Sequence, residues 1–304
     1  MKLRIGTRGS KLALWQADFI KSELLRHFPD IDTSITVIKT KGDKLLDSPL
    51  SEIGGKGVFV KEIEESLLNN SIDIAVHSLK DLPSVLPNGL VIGAITKRQH
   101  PSDAVISKEN KKLNELSPGA RIGTGSLRRK AQILNIYPEL EIVALRGNVE
   151  TRIKKLNAEN LDAVILAVAG LQRMGFENEI SQILDPNIFI PAPGQGVIAV
   201  ESRENDRSTQ EILNVIRDLQ TMSESVLERS FLRQIGGDCN IPAGCYAKVT
   251  GNKIYAVAFV SDECGKKLIR DEIRGEAEMG VRLGSALADK IINSGGSEIL
   301  KEII

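Results

Sequence analysis

Short apolar stretches alternate with amphipathic ones through the first two-thirds of the chain, and near residue 102 the alternation starts over. "KLRIGTR", "SITVIKT", "IDIAVHSL" and "GLVIGAIT" read as strands, "SKLALWQADFIKSELLRHF" as a helix capped by Ser10, and residues 58–69 as a second helix. The pattern breaks at "KRQHPSD" (97–103), where Pro101 disfavours helix at His100. It resumes with strands "DAVISK", "RIGTG", "EIVALR" and "DAVILAV", with helices "SLRRKAQILNIY" and "NVETRIKKLNAEN" between them and the helical turn "AGLQRMG" after them. Strands and helices alternating in this way bury both faces of a parallel sheet under helices. The chain therefore predicts two doubly wound α/β units.

A Pro- and Gly-rich seam, "PAPGQGVIAVESR" (191–203), closes the second unit and adds one more strand. Helices are expected over 208–219 and 223–234. The remainder differs in character: "YAKVTGNKIYAVAFVSD" predicts a hairpin turning at Gly251-Asn252, "KKLIRDEIRG" a further strand, and "AEMGVRLGSALADKIINSGG" a helix. That is a small C-terminal α+β domain. Residues 41–57, "KGDKLLDSPLSEIGGKG", are polar and Gly-rich and read as a mobile loop.

Composition narrows the function classes. Forty basic residues balance forty acidic ones, so an overall basic field cannot recruit nucleic acid. No apolar run approaches the roughly 18 residues of a membrane span, and Arg8 and Lys11 interrupt the N-terminal stretch where a signal peptide would need an apolar core. A cytoplasmic protein without membrane contact is expected.

Four stretches carry chemistry. In "RIGTGSLRRK" a strand ends in a glycine turn with hydroxyls at Thr124 and Ser126, and a helix begins, a geometry suited to an anion. Arg128 and Arg129 add forked donors matched to carboxylate or phosphate; an ordinary strand–helix turn with solvated arginines is the alternative. Arginine also recurs at or just past strand ends, at Arg8, Arg146, Arg152 and Arg173, along the edge that lines the ligand crevice of open α/β sheets. Together they describe a receptor for a poly-anion. "IDIAVHSLKDLPS" ends a buried strand in His77, Ser78, Lys80 and Asp81; Asp81 either accepts ligand N–H groups and stabilises a developing cation, or serves as a turn carboxylate. His77 reads as a packed residue.

The fourth stretch is "GGDCNIPAGC" (236–245), with two of the three cysteines. A reducing compartment disfavours a disulfide, and the spacing lacks the paired ligands of a zinc site, so no metal is expected. A small buried residue or a reactive thiol remains for Cys239 and Cys245. No His-Asn set accompanies them, so a thiol here suits attachment better than turnover.

Taken together, "GTRGSKLALWQA", "GGKGVFVKEIE", "AVHSLKDLP", "GTGSLRRKAQ", "LRGNVETR", "AVAGLQRMG", "PAPGQG" and "ERSFLRQIGGDCNIPAG" resemble, in order and over nearly the whole chain, the motifs of the porphobilinogen deaminase family. The resemblance implies an α/β fold of two doubly wound, periplasmic-binding-protein-like domains plus the small α+β domain. Domain 1 would be discontinuous (1–98 and 195–217), domain 2 would span 99–194 and domain 3 218–304. It implies a monomer that condenses four molecules of porphobilinogen, with loss of ammonia, to linear hydroxymethylbilane on a covalent dipyrromethane cofactor.

By the same resemblance Cys239 carries the cofactor thioether, and Asp81 holds pyrrole N–H groups and stabilises positive charge. Ser78, Lys80, Thr124, Ser126, Arg128 and Arg129 bind cofactor carboxylates, while Arg8, Ser10, Arg146, Arg152, Arg173 and Gln195 bind substrate and growing chain. The loop around Gly54, Gly55, Lys56 and Gly57, with Phe59, acts as a lid. Asp238 stands where a small residue is usual in the family, and Ala243 where a larger apolar one is. The rival reading is a non-enzymatic two-lobed binding protein for a dicarboxylate or phosphate; nucleotide-dependent catalysis lacks a P-loop or Rossmann motif.

Overall fold

The computed structural model describes residues 2–40, 60–237 and 241–303. The expected lid loop with Lys56 and Phe59, and the thiol of Cys239, lie outside these residues. In chain order the elements begin with β1 (Lys2–Thr7), α1 (Lys11–His27), β2 (Asp32–Val37), α2 (Lys61–Leu68), β3 (Ile74–Ser78) and β4 (Leu90–Ile95). There follow β5 (Asp103–Ser107), β6 (Arg121–Thr124), α3 (Leu127–Ile136), β7 (Glu141–Ala144), α4 (Val149–Ala158), β8 (Ala163–Ala167), α5 (Val168–Arg173) and β9 (Gln182–Ile183). The chain ends with β10 (Ile198–Arg203), α6 (Arg207–Leu213), α7 (Leu219–Gln234), β11 (Ala243–Thr250), β12 (Lys253–Ser261), β13 (Leu268–Glu276), α8 (Gly280–Ile291) and α9 (Ser297–Ile303).

These elements form two compact units, Met1–Gln99 with Val197–Met222, and His100–Gly196 with Ser223–Ile304. The first holds a five-stranded sheet of order β2-β1-β3-β10-β4, the second a five-stranded sheet of order β7-β6-β8-β5-β9 and the antiparallel sheet β11-β12-β13. The two larger sheets share one plan. Each is parallel through its first three strands and then receives one antiparallel strand, β10 against β3 and β4, β5 against β8 and β9. The sheets are therefore mixed, where strand–helix alternation alone predicts parallel ones. Both reversed strands lie next to a point where the chain passes from one unit to the other, so they enter without a helical crossover.

Alternating side chains serve the two faces, as the period of a strand requires. In β3, Ile74 and Val76 pack with Ala17, Ile20 and Leu24 of α1, while Ala75 packs with Ile63 and Leu67 of α2. In β8, Ala163 and Ile165 meet Ile133 of α3, and Val164 and Leu166 meet Leu156 of α4 and Leu171 of α5. The small sheet packs one face on Leu227 and Phe231 of α7 and Leu283, Leu287 and Ile291 of α8; Cys245 is a fully buried member of that core.

The helix expected over 208–219 stops at Leu213, and the next begins at Leu219, before the expected 223. Two hydrogen bonds hold the break, one distant and one local: Arg217 Nε donates to Gly93 O at 2.6 Å, and Asp218 Oδ1 accepts from Thr221 N at 2.7 Å as a cap for α7.

β11 is an edge strand, and its outward N–H groups are answered by its neighbours. Cys245 N donates to Pro191 O (3.2 Å), Ala247 N to Glu228 Oε1 (2.9 Å) and Val249 N to Glu224 Oε1 (3.0 Å). The match is geometric: four residues of helix advance about 6 Å and two of strand about 6.8 Å. Glu228 Oε2 also accepts from Gly194 N at 2.7 Å, fixing the seam. Glu228→Ala should leave two buried N–H groups unanswered and lower unfolding free energy by about 2–4 kcal/mol; urea denaturation measures this, and a change within 0.5 kcal/mol would show the carboxylate to be dispensable.

Candidate functional site

In the first unit the expected residues stand at the carboxyl ends of two adjacent parallel strands, β1 and β3. Past β1, Ser10 Oγ accepts from Ala13 N at 3.2 Å and starts α1, leaving Arg8 and Ser10 half-buried. Past β3, one 3₁₀ turn covers Leu79–Asp81. Leu79 N donates to Val197 O at 3.0 Å, and the Gln16 Nε2 amide donates to Ser78 Oγ at 2.9 Å. Leu79 and Leu82 are buried, whereas Lys80 is half-buried and Asp81 exposed. Apolar anchors on either side thus hold a turn that turns its carboxylate to solvent.

Behind this turn lies a buried ionisable cluster. His77 Nε2 is 3.2 Å from Glu201 Oε2, with side chains 3% and 0% exposed. His77 is packed as its sequence context predicts, but its acidic neighbour on β10 is far away in the chain. Glu64 of α2 is also buried; burial, joined by repulsion from Glu201 and Glu65, pushes its carboxyl from 4.5 up to about 7.

In the second unit the same edge is built around an ion cluster. Thr124 ends β6, Gly125 turns, and Ser126 caps α3 by accepting from Arg129 N at 3.5 Å. A Cβ on Gly125 would lie 2.5 Å from Leu145 O, so the turn needs glycine. Arg128 and Arg129 are not solvated: their side chains are 6% exposed and share one carboxylate, Asp103, which is 0% exposed.

Asp103 Oδ1 accepts from Arg129 Nε (3.0 Å), Arg129 Nη2 (2.7 Å) and Gln195 Nε2 (3.0 Å), and Oδ2 lies 2.8 Å from Arg128 Nη2. Arg129 Nη1 donates to Ile165 O and Arg128 Nη1 to Ile190 O, at 2.9 and 2.8 Å. Burial works to raise the Asp103 carboxyl, but the charges of Arg128 and Arg129, with hydrogen bonds from Arg129 and Gln195, hold it far below the usual carboxylate range.

The other expected residues of this unit are distributed along the same edge. Arg146 and Arg152, half-buried, flank the Asn148 cap of α4, where Asn148 Oδ1 accepts from Thr151 N at 2.8 Å. Arg173 ends α5; its Nη2 donates to Gly196 O at 3.0 Å, and burial lowers it to about 10. Gln195 Nε2 also donates to Pro101 O at 2.7 Å.

Sequence reading passes over Asp103, because a lone acidic residue opening "DAVIS" gives no sign of its partners. One signal was present: an ionisable residue at the head of a strand, directly before the three apolar residues Ala104, Val105 and Ile106. The network carries two positive charges against one negative, and Arg128 Nε is buried with no partner among the described residues. That donor set fits a ligand with several carboxylates. Among the described residues no group of three or more His, Cys, Asp or Glu side chains is placed to hold a metal ion.

Residues 3–211 match the family model described as porphobilinogen deaminase, dipyromethane cofactor binding domain, and residues 222–293 that described as porphobilinogen deaminase, C-terminal domain. A porphobilinogen deaminase of Trichlorobacter lovleyi is 48% identical over 302 residues, 99% of this chain and 96% of that one. Another, of Desulforamulus reducens, is 47% identical over 302 residues, 99% of this chain and 98% of that one. Among solved structures, the methionine binding protein MetQ is similar over 71% of this chain and 89% of that chain, with a TM-score of 0.45 at 13% identity.

The raised Glu64 carboxyl has a consequence for stability. A group held above its unfolded value stabilises fully below 4.5 and loses that contribution as pH rises through about 7. Glu64→Gln should therefore flatten the fall in unfolding free energy between pH 5 and pH 8 and be the more stable chain at pH 8. Urea denaturation at both pH values checks this; parallel pH profiles for the two chains would contradict it.

Proposed function

The chain belongs to the porphobilinogen deaminase family, and from that membership we propose how its own residues divide the work. The reaction joins four porphobilinogen molecules head to tail, each condensation forming one carbon–carbon bond and releasing one ammonia; water then cleaves the bond between the finished tetrapyrrole and the cofactor, supplies the terminal hydroxyl and releases hydroxymethylbilane for tetrapyrrole biosynthesis. The non-enzymatic binding protein that the residues alone leave open is set aside by the match over both family domains.

The covalent dipyrromethane supplies the terminal pyrrole carbon to which the first substrate is joined. Cys239 holds it through a thioether, a role carried by the family's attachment motif, since the residue lies outside those described. Arg128 and Arg129 bind its carboxylates, with Thr124, Ser126, Ser78 and Lys80. The observation that carries this assignment is the Arg128–Arg129–Asp103 network, with its excess positive charge and its unanswered Arg128 Nε. Charge-assisted bonds to such donors are stronger than neutral ones.

Asp81 accepts hydrogen bonds from the substrate pyrrole N–H and stabilises the positive charge that develops as ammonia departs. Its support is local: an exposed carboxylate on a turn clamped by Leu79 and Leu82 needs little reorganisation when charge develops. Arg8, Ser10, Arg146, Arg152, Arg173 and Gln195 take the acetate and propionate groups of substrate and growing chain, and Lys56 and Phe59 belong to a lid. Residues 1–98 with 195–217, 99–194 and 218–304 act as three functional domains. No described helix is long and apolar enough to cross a membrane, and we assign the chain to the cytoplasm as a monomer on the family pattern.

Two experiments test these roles. Intact-mass measurement on chain purified from a host that makes porphobilinogen should show two pyrrole units added; Cys239→Ser should remove the addition and Cys245→Ser should keep it. Bare mass in active protein, or loss of the adduct only from the Cys245 variant, would refute the anchor. Asp81→Asn should retain fold and adduct and lower kcat by ~10²–10³-fold; undiminished turnover would show that Asp81 has another role.

A further inference from the structure

Asp103 opens β5 in register with Ala167, the last residue of β8. Because β5 runs against β8 and β8 runs with β6, the head of β5 lies at the edge where β6 delivers Thr124 and α3. A fully buried carboxylate at that edge has a definite set of neighbours. Arg128 and Arg129 occupy consecutive positions in the first turn of α3, so their side chains leave the helix about 100° apart. Asp103 nevertheless engages both, with Oδ2 on Arg128 and Oδ1 on Arg129, while Gln195 Nε2 holds Oδ1 from the seam. Each guanidinium is held by a second fixed acceptor, Ile190 O for Arg128 and Ile165 O for Arg129.

The consequence concerns the chain before it carries its cofactor. Two adjacent buried guanidiniums repel, and each is costly to bury without a counter-charge. Asp103 supplies one negative charge and leaves one positive charge over, together with the buried Arg128 Nε that has no acceptor among the described residues.

We infer that Asp103 is a positioning residue: an internal counter-ion that lets the Arg128–Arg129 pair be buried before the cofactor arrives and fixes the orientation in which the pair receives it. The inference rests on the assignment of these arginines to the cofactor carboxylates. It extends that assignment to a residue that does not itself bind the ligand, since two carboxylates would repel.

The test compares cofactor-free and loaded protein. Chain made in a host lacking porphobilinogen is studied before and after incubation with porphobilinogen, by thermal unfolding, intact mass and steady-state kinetics. In Asp103→Asn the cofactor-free form should lose more Tm than the loaded form, because ligand carboxylates replace the missing charge. Loading should therefore raise the variant's Tm by more than it raises that of the parent. Its kcat should fall at least about tenfold while KM for porphobilinogen moves less than about threefold, as expected for misorientation.

Equal Tm losses in the two forms would reduce Asp103 to a structural ion pair and overturn the inference. If Asp103→Asn does not fold, Asp103→Glu keeps the charge and displaces it by one methylene: the cofactor-free form should fold and load, with kcat again reduced, and unchanged kcat would overturn the proposal. Arg128→Gln and Arg129→Gln separate the two levels of the argument. Normal loading of both would sink the cofactor assignment itself. Poor loading of both beside equal Tm losses in Asp103→Asn would sink the inference alone.

Discussion

One buried carboxylate organises the functional edge of the second unit. Asp103 draws together the head of β5, the first turn of α3 and the seam at Gln195, and through the two arginines it reaches the carbonyls of Ile165 and Ile190. Breaking a buried ion pair from one side costs about 3–5 kcal/mol, because the partner charge remains in a poor solvent. Exchanging the carboxylate or either arginine singly therefore carries a stability cost. The edge is rigid for an electrostatic reason, where the sheets beneath it are rigid for a hydrophobic one.

The first unit solves a different problem. Under the role proposed for it, Asp81 meets charge that appears and disappears, and a permanently paired carboxylate would be unsuited to that. The turn Leu79–Asp81 keeps the side chain exposed while Leu79 and Leu82 fix the backbone, so order comes from apolar burial and leaves the carboxylate to the solvent side. In the second unit two guanidiniums are buried on one carboxylate, with one positive charge in excess; in the first, the Asp81 carboxylate is displayed to solvent.

The α/β character, the second start near residue 102 and the Gly251-Asn252 hairpin were all readable in the chain, because periodicity and turn chemistry are local properties. The reversal of β5 and β10 was not, since pattern fixes which face of a strand is buried but not its direction. The break between α6 and α7 escaped for a related reason. Asp218 caps α7 next to Arg217, whose Nε is held by Gly93 O, a partner 124 positions away. The site shows the same limit. Arginines at strand ends suggested an anion receptor, and the order of the motifs named the family. That Arg128 and Arg129 are buried against Asp103 depends on contacts across 26 positions and more, which no short motif encodes.

The placing of β10 has a consequence for the chain during synthesis. It lies between β3 and β4, and β4 pairs only with β10 among the described residues. A ribosome that has finished β4 must still make all of His100–Gly196 before β10 emerges, a delay of roughly 5–20 s at ordinary elongation rates. Throughout that interval the first sheet is open at its centre, with one edge of β3 unpaired and β4 unattached. The second five-stranded sheet, complete by Ile183, can close first. Of the two large sheets, the one that begins first in the chain is therefore the one that closes later.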